Sequence, residues 1–220
     1  MQKSLIRLIV YDLDGTLVDS AEIVQKILND LRLELGKEML DRSAFMPWIS
    51  LGGEDLIRSA LGISEKNINK YLQEFRLRYL NLPTPQEAVY KGVVDSLNYL
   101  RKENYYLAIC TNKPRNLAEK VLDETGLSHF FNYLNAGGDL PTKKPHAQNI
   151  IQCLNYFGVQ NSQAIMVGDS TVDQQLASNT LVAFVFYEHG YNDGVRADLA
   201  SLVLSKHSDL IDFLEINNWK

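Results

Sequence analysis

Only two cysteines, Cys110 and Cys153, occur in 220 residues. Each stands inside an apolar pattern, which suits reduced, buried thiols and excludes a disulfide-stapled scaffold. Long hydrophobic runs are missing too. The longest, "SLIRLIV" and "LVAFVF", fall short of the roughly 20 residues a membrane-spanning helix needs, and Arg7 interrupts the first. The N-terminus lacks a basic segment followed by a continuous apolar stretch and a small-residue cleavage site, so the cytoplasm is the expected location. Cationic clusters are equally scarce. No Lys/Arg run exceeds two residues and the net charge is -5, so neither nucleic acid nor an anionic membrane is expected as a partner. An anionic substrate would have to be attracted by local groups. What the chain has in quantity is apolar side chain, 45% of residues. That is enough for one large domain or for one domain carrying a smaller insertion.

From "RLIVYDLDG" the pattern changes abruptly to "DSAEIVQKILNDLRLELG", where Ile23, Val24, Ile27, Leu28 and Leu31 repeat with the helical period. Asp19 followed by Glu22 resembles a capping box that opens this helix, and Gly36 stops it. "GEDLIRSALG" is a short helix, and "SEKNINKYLQEFRLRYL" aligns Ile68, Tyr71, Leu72, Phe75 and Tyr79 along one stripe. Residues 17–81 are therefore expected to be all-helical, and "NLPTPQ", with Pro83 and Pro85, reads as a connector. Beyond it, helical and strand patterns alternate to the end of the chain. That rhythm predicts a parallel sheet with helices on both faces. Asp12, Thr111 and Asp169 end strand patterns, and open parallel sheets bind ligands outside the carboxyl ends of their strands.

"VYDLDGTLVDS" carries the chemistry most openly. Side chains at i and i+2 of an extended segment face the same way, so Asp12 and Asp14 meet at the strand end. Neighbouring carboxylates repel, and a cation between them resolves the conflict. Gly15 lets the backbone approach a ligand closely. Asp-Gly between apolar runs also signals a hairpin, but helix rather than a second strand follows. A calcium loop fails outright, because Leu17 and Ile23 stand where Gly and Glu are needed.

Three further stretches have both functional and plainer readings. Thr111 and Asn112 precede Pro114 at a helix start, where Thr111 suits a phosphate oxygen but a Thr-Asn pair is also an ordinary cap. Lys143 and Lys144 stand before Pro145 in a loop, where lysines are usually solvated. "VGDSTVD" puts Asp169 at a strand tip and Asp173 in a first helical turn, where acids also serve the helix dipole.

Taken in order, "DLDGT", Thr111, Lys144 and "GDSTVD" resemble the four motifs of the haloacid dehalogenase superfamily of aspartate-nucleophile phosphohydrolases. The resemblance spans the chain. It implies an α/β, Rossmann-like doubly wound parallel core over residues 1–16 and 82–220, with a small all-helical cap inserted at 17–81. It also implies a phosphatase in which Asp12 is the nucleophile and Asp14 protonates the leaving alcohol and later activates water. Mg2+ would be held by Asp12, the Asp14 carbonyl and Asp169, with Asp173 behind them as an orienter of Lys144. Thr111, Asn112, Gly15 and Lys144 would bind the phosphoryl group, with Lys143 the second choice of lysine. Four carboxylates then face Mg2+ and one lysine.

The cap must read the leaving group, and its clearest loop is "SLGGEDLIR", where Gly52 and Gly53 permit an unusual turn and Arg58 would approach an anionic substrate, unless it is a solvated helix residue. "LVDS", the Gly-Gly loop, "KKPH", "GDSTVD" and "EHGYNDG" look most like the phosphoglycolate-phosphatase-like subgroup, from which Ala147 departs in place of a second proline. The expected partner is a small phosphorylated metabolite, 2-phosphoglycolate being the specific guess, and the expected state a monomer or homodimer. A phosphosugar mutase, an inorganic pyrophosphatase and a catalytically silent module of the same superfamily remain alternatives. Dehalogenation is disfavoured by the presence of Asp14, and phosphonate cleavage by the lack of a suitably placed cap lysine.

Overall fold

The computed structural model describes residues 6–216; residues 1–5 and 217–220 of the expected core lie outside that range. β1 (Leu8–Tyr11) is buried along its whole length, which is why "LIVY" is continuously apolar. Four consecutive helices follow: α1 (Ala21–Glu34), α2 (Arg42–Ile49), α3 (Gly53–Leu61) and α4 (Glu65–Asn81). The chain then alternates through α5 (Val93–Lys102), β2 (Tyr106–Pro114), α6 (Arg115–Glu124), β3 (Tyr133–Gly137) and α7 (Gln148–Phe157). It closes with β4 (Ala164–Gly168), α8 (Thr171–Thr180), β5 (Ala183–Tyr187), β6 (Leu202–Leu204) and α9 (Ser208–Ile216).

The strands form one parallel sheet in the order β3-β2-β1-β4-β5-β6. The order reverses between β1 and β4, and that switch point is where a doubly wound sheet opens a crevice for ligands. Register pairs Val10 with Ala108 on one side and with Met166 on the other. Alternate residues divide between two cores: Ile9, Tyr11, Ile109 and Val167 pack with α5, α6 and α9, while Leu8, Val10, Cys110 and Met166 pack with α7 and α8. Cys110 and Cys153 are both free and buried, as their apolar surroundings lead one to expect.

The helical insertion leaves and rejoins the core through paired segments. Asp19 N donates to Ala88 O at 2.8 Å and Tyr90 N to Leu17 O at 3.0 Å. The apolar stripe of α1 is buried throughout, and α4 buries Ile68, Leu72, Phe75 and Tyr79. One expectation needs correction. Ser20, not Asp19, is the N-cap of α1; the Asp19 carboxylate accepts from Ala21 N at 3.2 Å and from Arg42 at 2.6 Å. α2 falls within the region expected to be all-helical, although no stripe singles it out, because it is short and carries Pro47 inside it.

Candidate active site

Asp12 leaves the end of β1 with its backbone still in the sheet, its N–H donating to Val167 O at 2.9 Å. The chain then turns sharply, Leu17 N reaching back to Leu13 O at 3.0 Å, so no hairpin forms after Asp14-Gly15. Gly15 has φ +82°, and a Cβ there would collide with the Asp169 carboxylate. Glycine is required at that point by both conformation and space.

Lys144 comes to Asp12 from the loop before α7. Its ammonium lies 2.8 Å from Asp12 and 2.7 Å from Asp173, and all three side chains are buried. Burial presses the Asp12 carboxyl upward from its ordinary range, and the Lys144 charge opposes it. For Lys144, desolvation acts against the charge, but Asp12 and Asp173 outweigh it and raise its pKa. Lys143, adjacent in sequence, points elsewhere: its half-exposed ammonium pairs with Asp55 of α3 at 2.7 Å. Pairing with Asp12 thus distinguishes Lys144 from its neighbour.

Asp169 follows β4 and is completely buried. Thr16 Oγ1 donates to one of its oxygens at 2.8 Å and Tyr191 N to the other at 2.7 Å. Desolvation first, then the charges of Asp173 and Asp12, push its pKa well above the carboxylate range. Asp173 serves α8 and the site together. It completes a capping box with Ser170, whose hydroxyl donates to it at 2.6 Å, while its other oxygen receives Lys144. The plainer reading of Asp173 as a helix-start acid therefore holds alongside the functional one.

Asp12, Asp169 and Asp173 each offer an oxygen within 4.8 Å of the others. Three converging buried carboxylates suit a hard divalent cation that takes a few carboxylates and keeps waters. Asp169 and Asp173 have donors on both oxygens, whereas the Leu13 N–H and the Lys144 ammonium both meet Asp12 at the same oxygen. The Asp14 carboxylate is not one of the three, although it lines the same cavity as Asp12. It receives Ser20 Oγ at 2.5 Å and the ammonium of Lys113 at 3.0 Å.

Lys113 is the residue that sequence reasoning passed over. β2 runs on through Pro114, so Lys113 follows Thr111 at i+2 on the same side of an extended segment, as Asp14 follows Asp12. That spacing was available in "TNKP". Its inclusion changes the formal charge balance: with all four carboxylates ionised they meet two lysines, leaving the site short of the two positive charges a divalent cation supplies.

A cavity of about 50 Å³ opens over Asp12 and Asp14, lined also by Thr111, Asn112, Lys113, Gly52, Gly53 and Tyr79. The Gly-Gly loop therefore does reach the site, with positive φ at both glycines. Asn112 braces loops: its side chain donates to Lys144 O at 3.2 Å and accepts from Lys144 N at 2.8 Å. Arg58 is not brought to the cavity. Its guanidinium is held by Asp55 and Glu65, each 2.7 Å away. Gly190, in the loop after β5, packs against Gly15 O and the Asp169 side chain so tightly that a Cβ would overlap both.

A family profile described as haloacid dehalogenase-like hydrolase matches residues 9–187. The phosphoglycolate phosphatase of Pseudomonas putida is 35% identical over 207 residues, covering 90% of this chain and 76% of that protein. The crystal structure of a predicted phosphoglycolate phosphatase from Haemophilus somnus has a TM-score of 0.86 at 25% identity, covering 94% of this chain and 97% of that one. The β-phosphoglucomutase of Clostridium difficile has the same fold at 18% identity and a TM-score of 0.81, covering 98% of this chain and 97% of that one. With most of its length matched by family and relatives alike, the chain belongs to the haloacid dehalogenase-like hydrolases.

Proposed function

We propose that this protein is a Mg2+-dependent phosphatase of small phosphate monoesters, with 2-phosphoglycolate as the leading substrate. The observation that carries the reading is the buried Asp12–Lys144 pair beside Asp14 at the switch point of the sheet. Asp12 attacks phosphorus while the bond to the leaving oxygen breaks. Asp14 gives that oxygen a proton, then takes one from the water that hydrolyses the phospho-aspartate and restores Asp12. Thr111 and Lys144 hold the phosphoryl oxygens. Mg2+, bound by Asp12, Asp169 and the Asp14 carbonyl, would add positive charge against the same oxygens. Residues 17–81 act as the cap over a core made of 1–16 and 82–220, and the Gly52-Gly53 loop closes on the site.

The narrow cavity favours small leaving groups, and the phosphoglycolate phosphatases among the relatives point the same way. Phosphate release should be measured with Mg2+ across 2-phosphoglycolate, β-glucose 1-phosphate and pyrophosphate. Highest kcat/KM on 2-phosphoglycolate is expected. Conversion of the sugar phosphate to its isomer without phosphate release would favour a mutase instead, and preference for pyrophosphate a pyrophosphatase.

A further inference from the structure

Lys113 takes no step of its own in the chemistry just described, yet it is buried in the cavity wall and paired with the proton donor Asp14. Its ammonium lies 3.0 Å from both oxygens of Asp14 and 4.1 Å from the centroid of the Tyr79 ring on α4. Desolvation disfavours its charge, but Asp14 and Tyr79 prevail and raise its pKa. A buried ammonium has three donors, and Asp14 is its carboxylate partner. Capacity remains for a further acceptor.

Two hydroxyls in the same wall point to what that acceptor is. Tyr79 and Ser50 both line the cavity; Ser50 Oγ is buried without a hydrogen-bond partner, and Tyr79 Oη has only the side chains of Lys113 and Ser20 beside it. Ser50 stands next to Lys113's neighbour, its carbonyl receiving Asn112 Nδ2 at 3.4 Å. Buried polar atoms are normally satisfied, so an orphaned hydroxyl in a ligand cavity marks a group reserved for a ligand. An ammonium beside the Tyr79 hydroxyl, with the Ser50 hydroxyl in the same cavity wall, suits an acceptor-rich anion. Arg58, the cation expected for such a group, is committed to Asp55 and Glu65.

We infer that Lys113, with the hydroxyls of Tyr79 and Ser50, binds a carboxylate on the leaving-group side of the substrate, making small acid-bearing phosphate esters the preferred class. The inference rests on the phosphatase reading above and deepens it. The cation comes from core strand β2, while Tyr79 and Ser50 come from the helical insertion. Recognition of the acid therefore joins the two parts over the substrate.

The test compares 2-phosphoglycolate with 2-hydroxyethyl phosphate, which differs only in replacing the carboxylate by a hydroxymethyl group. The ratio of their kcat/KM values is the readout. Losing one partner of a buried charged hydrogen bond is costly, so Lys113→Met should lower the ratio by about 30-fold or more, mainly through KM for 2-phosphoglycolate. Lys113→Arg should recover part of it. Tyr79→Phe, which removes one neutral hydrogen bond and leaves the ring, should lower it by about 3- to 10-fold. Equal losses on both esters in Lys113→Met and Tyr79→Phe would overturn the inference, as would a wild-type ratio near unity. Release of phosphate from neither ester by the wild type would instead overturn the phosphatase reading itself.

Discussion

The Lys144 ammonium and the Asp12 carboxylate lie 2.8 Å apart, with side chains 2% and 8% exposed. Neither charge has water to fall back on. Replacing Lys144 by Met leaves Asp12 and Asp173 facing each other without their cation, which should cost about 3 kcal/mol of stability. Phosphatase kcat should fall by about 1,000-fold or more, since preorganised charge at the transferring group is lost. Lys143→Met is the control. Its exposed pair with Asp55 is worth at most about 1 kcal/mol, and kcat should stay within several-fold of wild type. Denaturant melts and steady-state rates of the two variants check both statements; equal damage would mean that burial has not separated the lysines.

Asp12→Asn removes the attacking charge while keeping shape, and Lys144 retains Asp173 as a partner. A folded protein with no detectable Mg2+-dependent turnover is expected. Acid-quenched wild type incubated with radiolabelled substrate should carry phosphate on protein, and Asp12→Asn should carry none. Full turnover in the variant would move the nucleophile elsewhere.

Asp169 is completely buried near two other acids, so its ionised form is unfavourable until a cation arrives. Mg2+ at 100 times its dissociation constant should stabilise the fold by about 2.7 kcal/mol. Asp169→Asn should raise the metal-free Tm, because Asn still accepts from Tyr191 N and can donate to Thr16 Oγ1. It should also abolish the response to Mg2+. Thermal melts with Mg2+ and with EDTA measure both, and an unchanged Mg2+ response would remove Asp169 from the metal site.

Gly190→Ala tests the close packing of the loop after β5. The added methyl would meet backbone at Gly15 O as well as the Asp169 side chain, so no rotamer change relieves it. A loss of about 1–3 kcal/mol in stability is expected, together with a sharp loss of activity as Asp169 is displaced. Wild-type Tm and kcat in the variant would show that the loop moves freely.

His207 provides the pH dependence. It is 2% exposed, and burial lowers its pKa from 6.5 to about 4, against smaller opposing contributions from Thr16 and Asp209. Its Nε2 has no hydrogen-bond partner. The unfolded state therefore binds the proton more readily. The full contribution to stability is present above pH 6.5 and is lost as pH falls towards 4; it amounts to about 3 kcal/mol. His207→Phe keeps an aromatic ring against Tyr187, whose centroid is 4.6 Å away, and should remove that part of the acid dependence. Denaturant midpoints at pH 7 and 4.5 measure the difference.

Much of the site was legible because β-strand alternation and the ends of parallel strands are local properties. Asp12 and Asp14 at i and i+2 of an apolar run, and Asp169 after "AIMVG", could be read directly. Lys113 could not be read with the same ease, because Pro114 suggested that the strand had already given way to a helix. The strand in fact continues to Pro114. Arg58 had two readings, a substrate contact or a solvated helix residue, and Asp55 at i-3 and Glu65 beyond the helix engage it on the helix surface.

By itself, the sequence determined the order of elements, the helical insertion after the first strand, and which carboxylates stand at strand tips. These follow from short-range periodicity and from the cost of burying polar backbone. Only the tertiary structure decided which charge answers which. Lys144 joins Asp12 and Asp173, Lys143 joins Asp55, and Lys113 joins Asp14 across 99 positions of sequence. Buried charges must be paired, but the partner is selected by sheet order and by how the insertion folds back on the core, and those are contacts between distant parts of the chain.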